Sequence, residues 1–171
     1  MAKVLLINPV VREEVDPKHV PYGIALLASI IDQAGHSVQI CDSNAWRISD
    51  DELRSALAAD DWDVIGIGGI TTTYGYVKKT VAFAKQEAPQ ALVVLGGGVI
   101  TSMPRDIMGM LPEVDLGVIG EAFVTFPELL AQVDKEDSDW SQIQGISYRD
   151  SVGKIKLTPP RQLIEDVSVL P

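Results

Sequence analysis

Two kinds of hydrophobic pattern alternate along the chain. Short continuous runs of apolar residues are followed by longer segments in which apolar residues recur every three or four positions. A continuous run is typical of a strand buried on both faces, as in a parallel sheet, and the longer period is typical of an amphipathic helix. The pattern predicts strands at 4–7, 38–41, 64–67, 91–95 and 116–119. It predicts helices at 21–35, from Ser49 onward, and at 74–87, 104–110 and 125–133.

Five strand–helix units in about 135 residues favour an α/β domain with a flavodoxin-like (Rossmann-like), doubly wound, five-stranded parallel sheet. We favour the strand order 2-1-3-4-5. Residues 146–157 alternate around an Asp-Ser-Val-Gly turn, which predicts a C-terminal β-hairpin extension. We therefore expect the α/β domain at 1–133, followed at 134–171 by a polar linker, the hairpin and a connector to a further domain.

The composition and charge of the chain argue against some classes of binding partner. The 171 residues carry 24 acidic and 14 basic side chains, for a formal net charge of −10. Nucleic-acid binders usually present a basic face, so we expect no nucleic-acid partner. No apolar stretch approaches the roughly 18 residues of a membrane span, and the N-terminus lacks the apolar core of a signal peptide. We therefore expect no membrane contact and a cytoplasmic protein.

Cysteine and histidine are scarce. The single Cys41 excludes an intramolecular disulfide and an iron–sulfur site with several cysteine ligands. Two histidines cannot form a three-histidine zinc site. We expect His36 to cap a helix end or lie at the surface, His19 to be a solvated loop residue, and Cys41 to be a small buried residue. No catalytic residue and no metal-ligating residue is predicted.

Glycine and threonine cluster after the third, fourth and fifth predicted strands. In an open α/β sheet, ligands bind at the carboxyl ends of the strands, and glycine lets a ligand approach the backbone closely. Each glycine also suits a tight turn. Three glycine-rich loops at one edge together favour a ligand site.

Several nucleotide and catalytic motifs are missing. A dinucleotide site requires Gly-x-Gly-x-x-Gly after the first strand, where this chain has Asn-Pro-Val-Val at 8–11. Asp42, at the end of the second strand, is therefore predicted to cap a turn or helix rather than bind a ribose. The chain also lacks a Gly-x-x-x-x-Gly-Lys-Ser/Thr loop and a Gly-x-Ser-x-Gly elbow. A nucleoside triphosphatase and an α/β-hydrolase are thus not expected.

Five segments in order resemble a known family: 4–9, 21–38, 63–67, 92–98 and 120–130. They resemble the N-terminal cobalamin-binding domain of cobalamin-dependent radical S-adenosylmethionine (SAM) enzymes. That group includes methyltransferases and the anaerobic magnesium-protoporphyrin monomethyl ester cyclase. The resemblance covers nearly the whole chain, since 145–150 and 159–171 resemble the segment that joins this domain to the radical domain.

The resemblance implies a cobalamin-binding module with a radical SAM domain as its partner, in the same chain or a separate one. SAM and an iron–sulfur cluster would belong to that domain, because this chain lacks a Cys-x-x-x-Cys-x-x-Cys motif and is not expected to catalyse radical chemistry alone. The Asp-x-His-x-x-Gly motif of methionine-synthase-type domains is also absent, since Asp16, His19 and Gly23 have another spacing. The resemblance then implies cobalamin with its dimethylbenzimidazole tail displaced into the protein and no histidine on cobalt. The cofactor-binding residues that it implies are Asn8, Pro9, Val10, Tyr22, Gly69, Thr71, Thr72, Thr73, Tyr74, Gly96, Gly97, Gly98, Val99, Gly120 and Glu121.

Two other functions remain open. A flavodoxin-like redox protein would bind flavin mononucleotide, and the threonines at 71–73 are compatible with it. However, the loop after the first strand lacks the glycine and hydroxyl residues that the flavin phosphate would need. A degenerate domain kept for protein contacts, without a cofactor, is compatible with the acidic composition and the proline-rich tail.

Overall fold

A single mixed sheet organises the chain. The computed structural model describes residues 1–16, 20–133, 135 and 138–171. The strands are β1 (Lys3–Asn8), β2 (Ser37–Asp42), β3 (Val64–Ile67), β4 (Leu92–Leu95), β5 (Leu116–Val118), β6 (Ile146–Arg149) and β7 (Ile155–Leu157). They lie in the order β2-β1-β3-β4-β5-β6-β7, and β1 to β5 are parallel. The predicted α/β class and the order 2-1-3-4-5 are confirmed.

The predicted hairpin is part of this sheet. β6 pairs antiparallel with β5, and β7 pairs antiparallel with β6, so that the described sheet has seven strands where the pattern predicts five and a separate hairpin. The Asp150 carboxylate accepts the backbone N–H groups of Val152 and Lys154 and so closes the turn. The alternation in the sequence reveals the hairpin, but it carries no information about which strand the hairpin joins.

Seven helices of the described chain cover the sheet: α1 (Tyr22–Gln33), α2 (Ser43–Trp46), α3 (Asp50–Leu57), α4 (Tyr74–Glu87), α5 (Gly98–Ser102), α6 (Pro104–Met110) and α7 (Ala122–Val133). Ser49 and Glu52 form a capping box at the start of α3, each side chain accepting the backbone N–H of the other. Asp42 accepts the backbone N–H of Ala45 at 2.9 Å and so caps α2, as its position predicts. Helices α2 and α5 are not predicted, because four or five residues are too few to show a helical period.

Both faces of the sheet are covered, and each face has its own core. Val4 and Leu6 point to the face that α1 and α7 cover, whereas Leu5 and Ile7 point to the face that α3, α4 and α6 cover. Strand residues are therefore buried on both sides, which accounts for the continuous apolar runs. Within the described ranges, every helix falls short of the length and apolarity that a bilayer-spanning helix needs.

The described histidine and the cysteine lie away from the glycine-rich loops. The His36 Nδ1 atom accepts the backbone N–H of Ala2 at 3.0 Å, next to the amino end of β1. Cys41 is half-buried on the edge strand β2, and burial raises the pKa of its thiol. His19 lies outside the described residues.

Candidate ligand-binding site

A cavity of about 600 Å³ opens at the carboxyl ends of β1, β3, β4 and β5. It continues down the face of the sheet between α1 and α7, where Leu27 and Phe126 form its walls. One inward-facing residue from each of the four strands forms its floor: Leu6, Gly66, Val94 and Val118. The volume falls within the roughly 300–1,000 Å³ typical of small-molecule sites.

Gly66 keeps the floor of this cavity open. A Cβ atom at this position would lie 2.7 Å from Leu6 Cδ2 and 3.5 Å from two ring carbons of Phe126. A larger side chain would therefore project into the space between the sheet and α7. Glycine in a strand interior often marks a close approach of this kind, so the sequence does carry a signal for this residue.

The rim of the cavity is built by glycines that differ in their surroundings. Gly97 has a φ of +82°, and a Cβ atom there would lie 2.5 Å from the backbone oxygen of Gly69. Gly69 O also accepts the backbone N–H of Val99 at 3.1 Å, so the loops after β3 and β4 pack backbone to backbone. In contrast, a Cβ atom on Gly96 would meet no heavy atom within 4 Å. Gly97 is thus required by loop packing, whereas Gly96 borders open space.

Thr73 shapes the loop between β3 and α4. Its side chain is buried, and its Oγ1 atom accepts the backbone N–H of Ile70 at 3.1 Å and donates to the backbone oxygen of the same residue at 2.8 Å. One hydroxyl thus bonds to both backbone groups of Ile70, and Ile70 O also accepts the backbone N–H of Thr73 at 2.9 Å. Thr73 therefore fixes the course of the loop along the cavity.

Polar groups at the rim are few. The Asn8 Nδ2 atom donates to Asp42 Oδ1 at 2.8 Å, which leaves the Asn8 amide oxygen as the acceptor that this residue can offer to a ligand. Among the described residues that line the cavity, Glu121 carries the only formal charge at neutral pH. An apolar interior with a few polar groups at its mouth suits a largely apolar ligand segment with a polar end.

Ten of the fifteen residues named from the resemblance lie around this cavity: Asn8, Pro9, Tyr22, Gly69, Thr73, Gly96, Gly97, Gly98, Gly120 and Glu121. Tyr22 is at the mouth, where it is largely exposed at the start of α1. The structure brings these residues together from the five loops and helix ends at one edge of the sheet.

The other five do not line the cavity. Thr71 and Thr72 are exposed on a single 3-10 turn that precedes α4. Tyr74 and Val99 pack on the opposite face, against the core between the sheet and α3, α4 and α6. These two follow the glycine-rich loops at the beginning of a helix, where each residue rotates the side-chain direction by about 100°, so neighbours in sequence face opposite sides.

Val10 lines a second, smaller cleft of about 240 Å³ between the loop after β1, α3 and α4. Its charged groups already have partners, because Lys79 pairs with Asp50 at 2.6 Å. A hydrogen bond to Glu13 raises the pKa of Tyr76. Contacts that join α4 to α3 and to the loop after β1 thus engage the charged groups of this cleft.

Apolar residues of the cavity are the ones that sequence reasoning missed. Leu6, Leu27, Val94, Val118 and Phe126 carry the same pattern as any core residue, and nothing in the sequence separates them from it. No group of three or more His, Cys, Asp or Glu side chains that could hold a metal ion occurs in the described part of the chain.

Residues 8–130 match the family model described as the B12 binding domain. An uncharacterized methyltransferase from Pyrococcus horikoshii is 33% identical over 174 residues, which cover 99% of this chain and 37% of that protein. The anaerobic magnesium-protoporphyrin IX monomethyl ester cyclase from Synechocystis is 25% identical over 98% of this chain and 34% of its own length. The chain thus spans about a third of the length of the curated relatives that it matches.

A solved structure has the same fold. The radical SAM methyltransferase TsrM from Kitasatospora setae, with cobalamin and a [4Fe-4S] cluster bound, superposes with a TM-score of 0.79 at 21% identity. The match covers 100% of this chain and 31% of that enzyme. At this identity the likeness establishes a shared fold.

Proposed function

Because the chain belongs to the B12-binding domain family, we propose that it is the cobalamin-binding module of a radical SAM enzyme. The match confirms the family that the sequence resembles, and it spans every described residue that lines the cavity except Leu6. The partner in this proposal is a radical SAM domain, because the relatives that the chain matches include fused methyltransferases and cyclases about three times its length. SAM and the iron–sulfur cluster belong to that domain.

The cavity between the sheet, α1 and α7 is the observation that carries the proposal. Cobalamin has a broad corrin ring and a slender nucleotide tail that ends in the aromatic, largely apolar dimethylbenzimidazole. The cavity is apolar, with Leu6, Gly66 and Phe126 in its interior and polar groups at its mouth. An apolar interior of this kind suits the tail of cobalamin, whereas the wide corrin ring suits the open edge of the sheet above the cavity. Asn8 and the backbone of Gly96 and Gly97 would hold the polar part of the tail.

The proposal places the displaced tail in the apolar cavity and no protein imidazole on cobalt. Among the described residues that line the cavity, none is a histidine. His36 bonds to Ala2 at the amino end of β1, the opposite edge of the sheet. His19 lies outside the described residues, and its spacing differs from the Asp-x-His-x-x-Gly motif.

When bound, cobalamin supplies a cobalt that can carry an alkyl group, and the protein residues bind and orient the cofactor. The apolar walls would exclude water from the tail, and the rim loops would orient the ring. The cytoplasmic location expected from the sequence remains a prediction.

The test is to mix the protein with excess hydroxocobalamin, desalt it and record the visible spectrum of the protein peak. We expect near-stoichiometric corrin with the spectrum of a displaced tail. Gly96→Val should lower the affinity at least about tenfold, because its side chain would occupy the mouth of the cavity. Gly109→Val is the matched control, since a Cβ atom on Gly109, in α6, also meets no heavy atom within 4 Å but lies away from the cavity.

A colourless protein peak at excess cofactor would refute cobalamin binding by this chain. Binding of flavin mononucleotide in the same assay would establish the flavodoxin-like alternative, and binding of neither would favour a domain kept for protein contacts. Equal affinities of both glycine variants would reject the proposed position of the ligand while leaving the choice of ligand intact.

A further inference from the structure

The segment 158–164, which we call the strap, connects β7 to the rim of the cavity. Thr158 bonds to Ile146 in both directions, since its N–H donates to Ile146 O and its Oγ1 atom accepts the Ile146 N–H, each at 3.0 Å. Pro159 O then accepts the N–H of Gly145 at 2.9 Å. At the far end, the backbone N–H of Ile164 donates to Glu121 Oε2 at 3.3 Å. The strap is therefore held by hydrogen bonds at both ends, although it forms no helix or strand.

Arg161 fastens the middle of the strap to α7. Its side chain is only 18% exposed, its Nε atom donates to Thr125 Oγ1 at 2.9 Å, and its guanidinium pairs with Glu128. Thr125 is fully buried. Hydrogen bonds that involve a charged group in a partly buried setting are stronger than neutral ones at the surface.

A glycine permits this close approach. Gly145 has a φ of +73°, and a Cβ atom there would lie 3.3 Å from both Arg161 Cβ and the backbone oxygen of Ile119. Ile119 follows β5 directly and donates its N–H to Gly145 O at 2.8 Å. The strap is thus seated against the end of β5, beside the loop that leads into α7.

Glu121 joins the strap to the cavity. It lines the cavity, and it also lines a narrow cleft formed by Arg161, Leu163 and Ile164 of the strap. The neighbouring Gly120 donates its N–H to Thr101 Oγ1 at 3.0 Å. The loop between β5 and α7 is therefore held by α5 on one side and by the strap on the other.

We propose that the strap is a positioning element of the cofactor site, with Arg161 as the positioning residue that sets the β5–α7 rim through Glu121. The proposal rests on the proposed function, since the occupant of the cavity is taken to be a corrinoid. A rim that is ordered before binding costs less entropy on binding. Coupling of this kind is reciprocal, so a bound corrinoid must in turn stabilise the strap.

The experiment compares Arg161→Gln with Arg54→Gln. Arg54 forms an equivalent partly buried ion pair with Glu87, on the opposite face of the domain, and so controls for the loss of an ion pair. In the ligand-free protein, we expect amide hydrogen exchange at 119–123 to be about tenfold faster in Arg161→Gln and unchanged in Arg54→Gln. In a hydroxocobalamin titration, we expect about fivefold weaker affinity for Arg161→Gln and a change below about twofold for the control.

Limited trypsin digestion of the wild-type chain adds a measurement that needs no variant. Cleavage after Arg161 should slow about fivefold on saturation with hydroxocobalamin, because the bound state stabilises the strap. Cleavage after Lys154, in the exposed hairpin turn, should be unchanged.

Exchange at 119–123 that is the same in wild type and Arg161→Gln overturns the strap proposal, whether or not hydroxocobalamin binds. Equal losses of affinity in both arginine variants also overturn it, since they would reflect general destabilisation. If Arg161→Gln does not fold, equal protection of the two trypsin sites overturns it. Failure of the wild-type chain to retain hydroxocobalamin refutes the proposed function instead, and the exchange measurement still decides whether the strap orders the rim.

Discussion

The same substitution at two adjacent glycines of the cavity rim should destabilise the protein at one position and leave its stability almost unchanged at the other. Gly97→Ala places a Cβ atom on a backbone with φ +82° and ψ −170°, a region that only glycine occupies readily. The added atom would also lie 2.5 Å from Gly69 O and 3.1 Å from Gly69 N, which are backbone atoms that cannot rotate away. Gly96→Ala adds the same atom next door, where no heavy atom lies within 4 Å.

The magnitude for Gly97→Ala follows from two contributions. The backbone conformation costs about 1–3 kcal/mol for a residue with a side chain. Displacement of Gly69 breaks its bond with the Val99 N–H, which contributes about 1 kcal/mol. We therefore expect a loss of about 3 kcal/mol in the free energy of unfolding. At about 3 °C per kcal/mol for a domain of this size, the Tm falls by about 10 °C. For Gly96→Ala we expect a Tm within about 2 °C of wild type.

Thermal unfolding of the ligand-free variants, followed by circular dichroism, measures both values. Urea unfolding at constant temperature checks that the slope is unchanged, so that a shift in midpoint reports stability. The reasoning is refuted if Gly97→Ala melts within about 2 °C of wild type, or if Gly96→Ala is destabilised as strongly as Gly97→Ala. Either result would mean that the two loops do not pack as described.

Three further predictions concern the cavity, the β3–α4 loop and pH. Gly66→Val should lower hydroxocobalamin affinity at least about tenfold, because the side chain fills the floor of the cavity, and affinity matched to wild type in a titration would contradict this. Thr73→Val should cost about 1–3 kcal/mol in urea unfolding, because it leaves the Ile70 N–H without its partner while Ile70 O keeps only its bond from the Thr73 N–H, whereas the exposed Thr72→Val should change stability by less than about 0.5 kcal/mol. The capping-box bond to a backbone N–H lowers the pKa of Glu52, so its stabilising contribution is present above the ordinary value of 4.5 and is lost as the pH falls through the lower folded value. Glu52→Gln should accordingly show a smaller drop in urea midpoint between about pH 6 and pH 3 than wild type, and an equal drop would exclude this role.

Local rules sufficed to predict most of the secondary structure. Ser49 and Glu52 have the spacing of a capping box, and Asp42 stands where a cap is needed, so side-chain chemistry and position agree. The continuous runs predict strands covered on both faces, and right-handed crossovers between them restrict the topology. These features depend on residues close together in sequence.

The cavity could not be predicted in the same way. Hydropathy indicates that Leu6, Val94 and Val118 are apolar, but it does not indicate which apolar face retains empty space. That space results from the packing of α1 and α7 over four strands, a long-range property. Gly66 is the exception, because a glycine in the middle of a buried strand is unusual and has a structural reason.

The loop residues illustrate a second limit. Thr73 and Tyr74 are neighbours, yet one lines the cavity and the other packs on the opposite face of the sheet. The direction of each side chain depends on the residue at which the helix begins. Sequence reasoning locates the first residue of a helix only to within a few residues. A shift of one residue turns a side chain by about 100°, which is enough to move it to the other face.

The antiparallel pairing of β6 with β5 bears on where this domain can be truncated. β5 is only three residues long, and without the hairpin its backbone N–H and C=O groups would form an open edge available to other chains. With the hairpin in place, the outermost strand on this side of the sheet is β7, which carries Lys156 and follows Lys154. Charged lysines at an edge discourage intermolecular strand pairing. A fragment that stops at residue 133 would therefore exchange a protected edge for an aggregation-prone one, and a soluble fragment should extend at least through the hairpin.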